Sequence, residues 1–168
     1  DLYQFHSGSN DEFNNAEMWQ YLSDQVIAGK IRQLGVSLSG PLLNDNDTFQ
    51  IETARKVNCD NVQIVYNRLN TMAEDSVLPI CKELKLGVIA RIPLAKGFLS
   101  GNYKSGTIFN KNDHRSEYDQ AFNDSLIEKA AEIKKIEVPF GVNMAQWSIA
   151  WCLKHEAIST VIPGVRNI

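Results

Sequence analysis

Four short apolar runs begin near residues 2, 31, 62 and 88, and helical patterns fill the gaps between them. The interval of about 30 residues is that of one strand-plus-helix unit. Its recurrence constrains the chain more than any other feature. Strands separated by helices cannot pair as hairpins; they pair in parallel and need helices over the sheet. The predicted strands are Leu2–Phe5, Ile31–Ser37, Val62–Tyr66 and Val88–Ile92, the last stopped by Pro93, with a fifth at Thr160–Ile162. The repeat is one of structure, with no repeated sequence.

Local signals place the helices. Asn14, with Glu17 three residues on, predicts a helix start like a capping box. Trp19, Leu22, Val26 and Ile27 share one face of that helix, and Gly29 supplies the left-handed residue that closes it. Further helices are expected over Thr48–Val57 and Asp75–Leu84, with a turn at Gly87. The segment Ala95–Glu117, rich in Gly, Asn, Lys and Ser, is too long for a plain connector, and such loops are usually functional or mobile. Helices resume over Leu126–Ile136 and Met144–Lys154. The second carries Met144, Trp147, Ile149, Trp151 and Cys152 and is apolar enough to be largely buried. No linker or low-complexity tract interrupts residues 1–168, which read as a single α/β domain of the parallel β/α-barrel type. The first run ends in His6 and the last leads to Arg166. Barrel active sites are assembled from groups at the C-terminal ends of strands. The layout begins within one strand and stops just past another, so it predicts an incomplete barrel.

Composition excludes several classes. Of 168 residues, 43% are hydrophobic and 22% charged, as in ordinary globular proteins. A net charge of -3 gives no reason to expect nucleic acid or an anionic membrane as partner. No apolar run approaches the roughly 20 residues of a membrane span, and no secretory signal is visible. Cys59, Cys81 and Cys152 are widely spaced among apolar neighbours. They read as reduced thiols of a cytoplasmic protein, and no metal-ligand spacing occurs.

Six segments, in order, resemble the aldo-keto reductases: Asp1-Leu-Tyr-Gln-Phe-His6, Ala28 to Ser37, Val62 to Asn70, Gly87 to Ala95, Gly97 to Gly101, and Val161-Ile-Pro-Gly164. No one of them is decisive, but six in the right order and spacing are specific, and they cover essentially the whole chain. The resemblance implies an eight-stranded β/α barrel, here strands four to eight. It also implies an enzyme that passes hydride between NADPH and an aldehyde or ketone, or oxidises the alcohol. Of the family's catalytic Asp, Tyr, Lys and His, only the His maps onto this chain, at His6, where it would orient the carbonyl. No replacement tyrosine is expected; Tyr3 and Tyr66 lie within strands.

The same resemblance implies the cofactor contacts. Ser37 and Gln63 would hydrogen-bond the nicotinamide carboxamide. The family usually follows this Ser with Asn; here Leu38 stands instead and cannot hold the amide. Arg91 occupies a position where many members stack an aromatic ring on the nicotinamide, and a planar guanidinium can also stack. Strand alternation puts Arg91 on the face opposite Ala90 and Ile92. Pro93, Leu94, Lys96, Gly97, Ser100 and Gly101 resemble the loop that covers the pyrophosphate, where glycines admit phosphate to backbone N–H groups. Gly164 and Arg166 would lie near the adenosine 2′-phosphate, favouring NADPH over NADH. The plain alternatives are turn, surface or outward-facing roles for each. His114, His155 and the Lys134–Lys135 pair read as solvated, and Trp19, Trp147 and Trp151 as packing residues. A non-catalytic nucleotide-binding or regulatory module of the same fold is the second reading. Open strand edges would call for a complementing chain or a homo-oligomer.

Overall fold

A computed structural model of the protein describes residues 1–38 and 48–164. Five strands, β1 (Leu2–His6), β2 (Gln33–Ser37), β3 (Cys59–Val65), β4 (Gly87–Arg91) and β5 (Thr160–Ile162), form one sheet in sequential order. Every pair is parallel. The sheet is not closed into a barrel. Helices fill the crossovers: α1 (Asn10–Phe13), α2 (Ala16–Ile27), α3 (Phe49–Thr53), α4 (Val77–Glu83), α5 (Gln120–Ile136) and α6 (Met144–Leu153).

Alternation sorts the strand residues onto two faces. Leu34, Val36, Val62, Ile64, Val88 and Ala90 join one core with Trp19, Leu22, Ile51, Val77, Leu78 and Cys81 from the helices. That face is dry, and truncating a residue such as Ile51 or Ile64 to Ala would cost about 2–5 kcal/mol. The opposite face carries Gln4, His6, Ser37, Asn61, Gln63 and Arg91, the pattern of a barrel lumen. Its floor is kept narrow by glycine: a Cβ on Gly35 would come within 2.9 Å of the Asn61 carbonyl, and one on Gly87 within 2.6 Å of the Asn61 Oδ1. The register shifts by one residue between Leu34 and Gly35. Asp60 is thereby bulged out and Asn61 returns to the polar face.

Several local expectations shift. The polar stretch before α2 contains a short helix, α1, with a full capping box between Ser9 and Glu12. The cap of α2 is Asn15, which accepts from the Met18 N–H at 3.0 Å; Asn14 ends α1 instead. Ile27 points into solvent at 84% exposure. The α3 segment tightens to a 3₁₀ turn over Ala54–Val57, and β3 starts three residues early at Cys59. Only one side of α6 is buried, through Met144, Ser148 and Cys152, while Leu153 is exposed. Gly29 does adopt the left-handed conformation, at φ 73°. All three cysteines are buried and unpaired.

Candidate active site

Backbone register draws the polar strand ends together. His6 lies beside Ser37 and Ser37 beside Gln63; Val65 lies beside Arg91 and Arg91 beside Ile162. The Gln63 Nε2 donates to the Ser37 Oγ at 3.1 Å, both groups buried. This bond fixes the Gln63 amide at the mouth of the sheet. From β4, Arg91 reaches back across β3, and its Nη2 donates to the Leu38 carbonyl just past β2 at 3.1 Å. Burial pushes the Arg91 pKa below the ordinary arginine value, but a guanidinium stays charged. The Leu38 side chain turns into the helix-side core, so position 38 serves the mouth through its backbone: its carbonyl accepts from Arg91 and its N–H donates to the Gln63 carbonyl at 3.0 Å.

After β4 the backbone is strained. Ile92 (φ 58°), Ala95 (φ 48°) and Lys96 (φ 55°) all adopt left-handed conformations, as does Gly97 (φ 94°). For a β-branched residue this is an outlier, and each such residue costs about 1–3 kcal/mol. The strand pattern therefore ends at Arg91, and Ile92 does not stay on the Ala90 face as alternation predicts. Two clamps hold the turn. The buried Asn67 donates from Nδ2 to the Ile92 carbonyl at 3.0 Å and accepts the Leu69 N–H at 3.0 Å. From the other side, Arg115 donates from Nη1 to the Lys96 carbonyl at 3.2 Å.

Arg115 is only 3% exposed. Its guanidinium forms a fork with Asp113, Nε to Oδ1 at 2.8 Å and Nη2 to Oδ2 at 2.6 Å. It lies 4.1 Å from the ring centroid of Phe109 and 4.5 Å from that of Tyr103. The Asp113 hydrogen bonds raise its pKa above the ordinary arginine value. A Cβ on Gly97 would meet Arg115 Nη1 at 3.1 Å, so glycine here serves both the positive φ and the close approach.

A cleft of about 580 Å³ opens between these parts, and Gln63, Arg91, Pro93, Leu94, Lys96, Gly97, Ser100 and Gly164 all line it. Eight of the twelve residues singled out from the sequence thus share one surface. Asn102, Tyr103 and Arg115 line it as well; no motif pointed to them, and the place of Arg115 shows only once its aromatic partners are gathered. The described lining includes Arg91, Lys96 and Arg115, the last already forked to Asp113. That donor set fits the phosphates of a dinucleotide. His6 does not line the cleft; it is exposed at the end of β1. Ser37 reaches the cleft only through Gln63. Gly101 (φ 77°) ends the turn over Ala95–Ser100 and packs against Met144, where a Cβ would come within 3.3 Å. Arg166 lies outside the described residues.

Tyr66 is no proton donor. Its hydroxyl donates to Glu74 Oε1 at 2.6 Å, its ring stacks on Trp151 at 5.3 Å, and burial pushes its pKa up.

The strand layout and mouth geometry define a β/α-barrel protein with a strand-end site, and comparisons define which kind. The profile of the Aldo/keto reductase family matches residues 1–168, so the chain belongs to that family. A probable voltage-gated potassium channel subunit beta of Oryza sativa subsp. japonica is 32% identical over 99 residues, covering 56% of this chain and 30% of the relative. Aldo-keto reductase yakc [NADP(+)] of Schizosaccharomyces pombe is 28% identical over 174 residues, covering all of this chain and 49% of the relative. The fold matches a solved glycerol dehydrogenase of Gluconobacter oxydans with a TM-score of 0.78 and 24% identity, over 96% of this chain and 48% of that one. The chain spans half or less of the length of these proteins.

Proposed function

We propose that the protein is an NADPH-dependent aldehyde or ketone reductase, or the reverse alcohol dehydrogenase, acting in the cytoplasm. One observation carries the reading: eight of the eleven residues expected to touch the nucleotide line a single cleft, together with the side chain of Arg115. Bound there, the nicotinamide supplies a hydride to a carbonyl carbon. Gln63, pinned by Ser37, would hold the carboxamide; Lys96 and the N–H groups about Gly97 would face the pyrophosphate; Arg166 would meet the 2′-phosphate. His6, beside Ser37 at the mouth, would donate a hydrogen bond to the substrate carbonyl oxygen. The tether to the Leu38 carbonyl holds the Arg91 plane at the mouth, where it would flank the nicotinamide. Arg91→Tyr tests this, since unchanged affinity and rate would remove any role for the guanidinium. The proton donor that the resemblance implies matches no position in residues 1–168, so turnover is assayed on the whole native protein. NADPH consumption that requires a carbonyl compound and falls at least tenfold in His6→Ala is expected. Tight nucleotide binding without any turnover would reject the enzyme reading.

That second outcome defines the alternative, a nucleotide-binding regulatory module. The probable potassium channel beta subunits among the relatives are what favours it. Under it, a complementing chain or a second copy would cover the open sheet edges.

A further inference from the structure

The turn after β1 decides where His6 points. The imidazole is exposed at the end of the strand, so its aim is set by the backbone that carries it. That backbone leaves the strand sharply. Ser7 adopts a left-handed conformation at φ 56°, which a residue other than glycine holds when its surroundings impose it. Gly8 then folds back over β1, where a Cβ would come within 2.1 Å of the Phe5 ring. The ring has little room to yield. It meets Phe13 edge-on at 5.6 Å and packs on Trp19 at 5.8 Å.

Two other elements fasten this turn. The Ser7 N–H donates to the Ser37 carbonyl at 2.8 Å, which joins it to β2. From α3, Gln50 donates through Nε2 to the Gly8 carbonyl at 3.0 Å and to the Asn10 Oδ1 at 2.9 Å. The Gly8 carbonyl only accepts, so the Gln50 amide is fixed with its nitrogen toward the turn. Gln50 is 6% exposed, and it stands 42 positions from Gly8 in the chain. Asn10 opens α1, whose cap Ser9 is boxed with Glu12. Beside Gln50, Phe49 meets Phe13 at the other end of α1 edge-on at 6.1 Å. One buried amide thus ties both the turn and the short helix behind it to α3.

We infer that Gln50 is the residue that positions His6: its amide holds Ser7 and Gly8 in the strained turn that aims the imidazole at the mouth of the sheet. A role in turnover rests on the reading of His6 as the group that meets the carbonyl oxygen; the tether itself does not. Gln50 does not line the cleft and acts through His6. Without its donor the Gly8 carbonyl loses its partner, Ser7 relaxes out of the left-handed region, and the imidazole drifts from the carbonyl oxygen. A displacement on the order of an ångström is enough to slow a reaction tenfold or more.

The test is Gln50→Met in the whole native protein, which keeps the length of the side chain and removes the donor. Amide hydrogen exchange is followed by NMR, and carbonyl reduction by NADPH is measured with and without His6→Ala. The Ser7 N–H is expected to exchange at least tenfold faster while the amides of β3 keep their protection. The kcat is expected to fall about tenfold with the KM for NADPH unchanged, and Gln50→Met is expected to add nothing in the His6→Ala background. If exchange rises throughout the protein, Gln50→Glu is read in its place, since it keeps the shape but sets an acceptor against the Gly8 carbonyl. Unchanged Ser7 exchange, an unchanged kcat in an active protein, or a loss of rate that persists in full beside His6→Ala overturns the inference. Faster Ser7 exchange in a protein without any turnover upholds the tether and rejects the reductase reading alone.

Discussion

At Arg115 a single side chain does several jobs. Its fork to Asp113, its contact with Phe109 and Tyr103, and its bond to the Lys96 carbonyl tie the long segment after β4 to the strained turn. Arg115→Ala should lower stability by about 2 kcal/mol in urea unfolding and weaken NADPH binding. Arg115→Lys keeps the charge but not the planar fork, so it should restore little of either loss. The cysteines make a different prediction. Burial pushes the thiols of Cys59 and Cys81 up to about 12 and that of Cys152 to about 11, from an ordinary 9.0. The folded chain keeps these protons after an unfolded chain would lose them. Their contribution is therefore complete below pH 9 and is lost as pH rises through 11 to 12. The denaturation midpoint should fall in that window, and iodoacetamide at pH 8 should label none of the three until the protein is unfolded. The burial of Cys152 was readable from its apolar neighbours Trp151 and Leu153; that of Cys59, set between Asn58 and Asp60, was not. The Arg115 cage was not readable either, because Tyr103 and Phe109 follow no helical or strand period and only the folded loop brings them onto the guanidinium.

Among the elements, the turn after β4 stands furthest from what its sequence announces. Pro93 and Gly97 mark a turn, but nothing in Ile92 or Lys96 as residue types favours a positive φ. The conformation is imposed from outside by Asn67 and Arg115. Asn67→Ala should cost about 1–3 kcal/mol, and the loosened turn should bind nucleotide several-fold more weakly, as titration of NADPH fluorescence would show. Equal affinity would mean the turn holds its shape unaided. Strand existence was legible because one face of each strand must be apolar against the helices, and Thr160–Ile162 matches the expected bounds. Helix starts were less so. Ser9 and Glu12 carry a true capping box that the eye passes over in a polar stretch, whereas Asn14 and Asn15 compete as caps one residue apart. The 3₁₀ turn closing α3 owes its shape to the left-handed Asn58 (φ 58°), a local conformation that no periodicity reports.

The whole molecule is a parallel sheet with a dry face under helices and a polar face that gathers the site. Its end strands, β1 and β5, each pair on one side among the described residues. Unpaired strand edges invite further pairing. A polypeptide of these 168 residues alone should therefore associate in sedimentation at micromolar concentration, and a sharp monomeric boundary would show the edges to be otherwise protected. The barrel type was legible from the 30-residue rhythm, and the cleft from motifs at strand ends. The tether from Gln50 to the Gly8 carbonyl was not, because its two ends are adjacent only in space. Among the described residues no helix is long and apolar enough to cross a membrane.

The central claim is that the strand-end cleft binds a nicotinamide nucleotide. It is tested most directly by titrating the native protein with NADPH and following the fluorescence of the bound nucleotide, in parallel with Gln63→Ala and Lys96→Ala. The account predicts saturable binding, weakened about tenfold by either substitution, with the Lys96 effect shrinking as salt is raised. Absence of binding, or binding that ignores both residues, would contradict it.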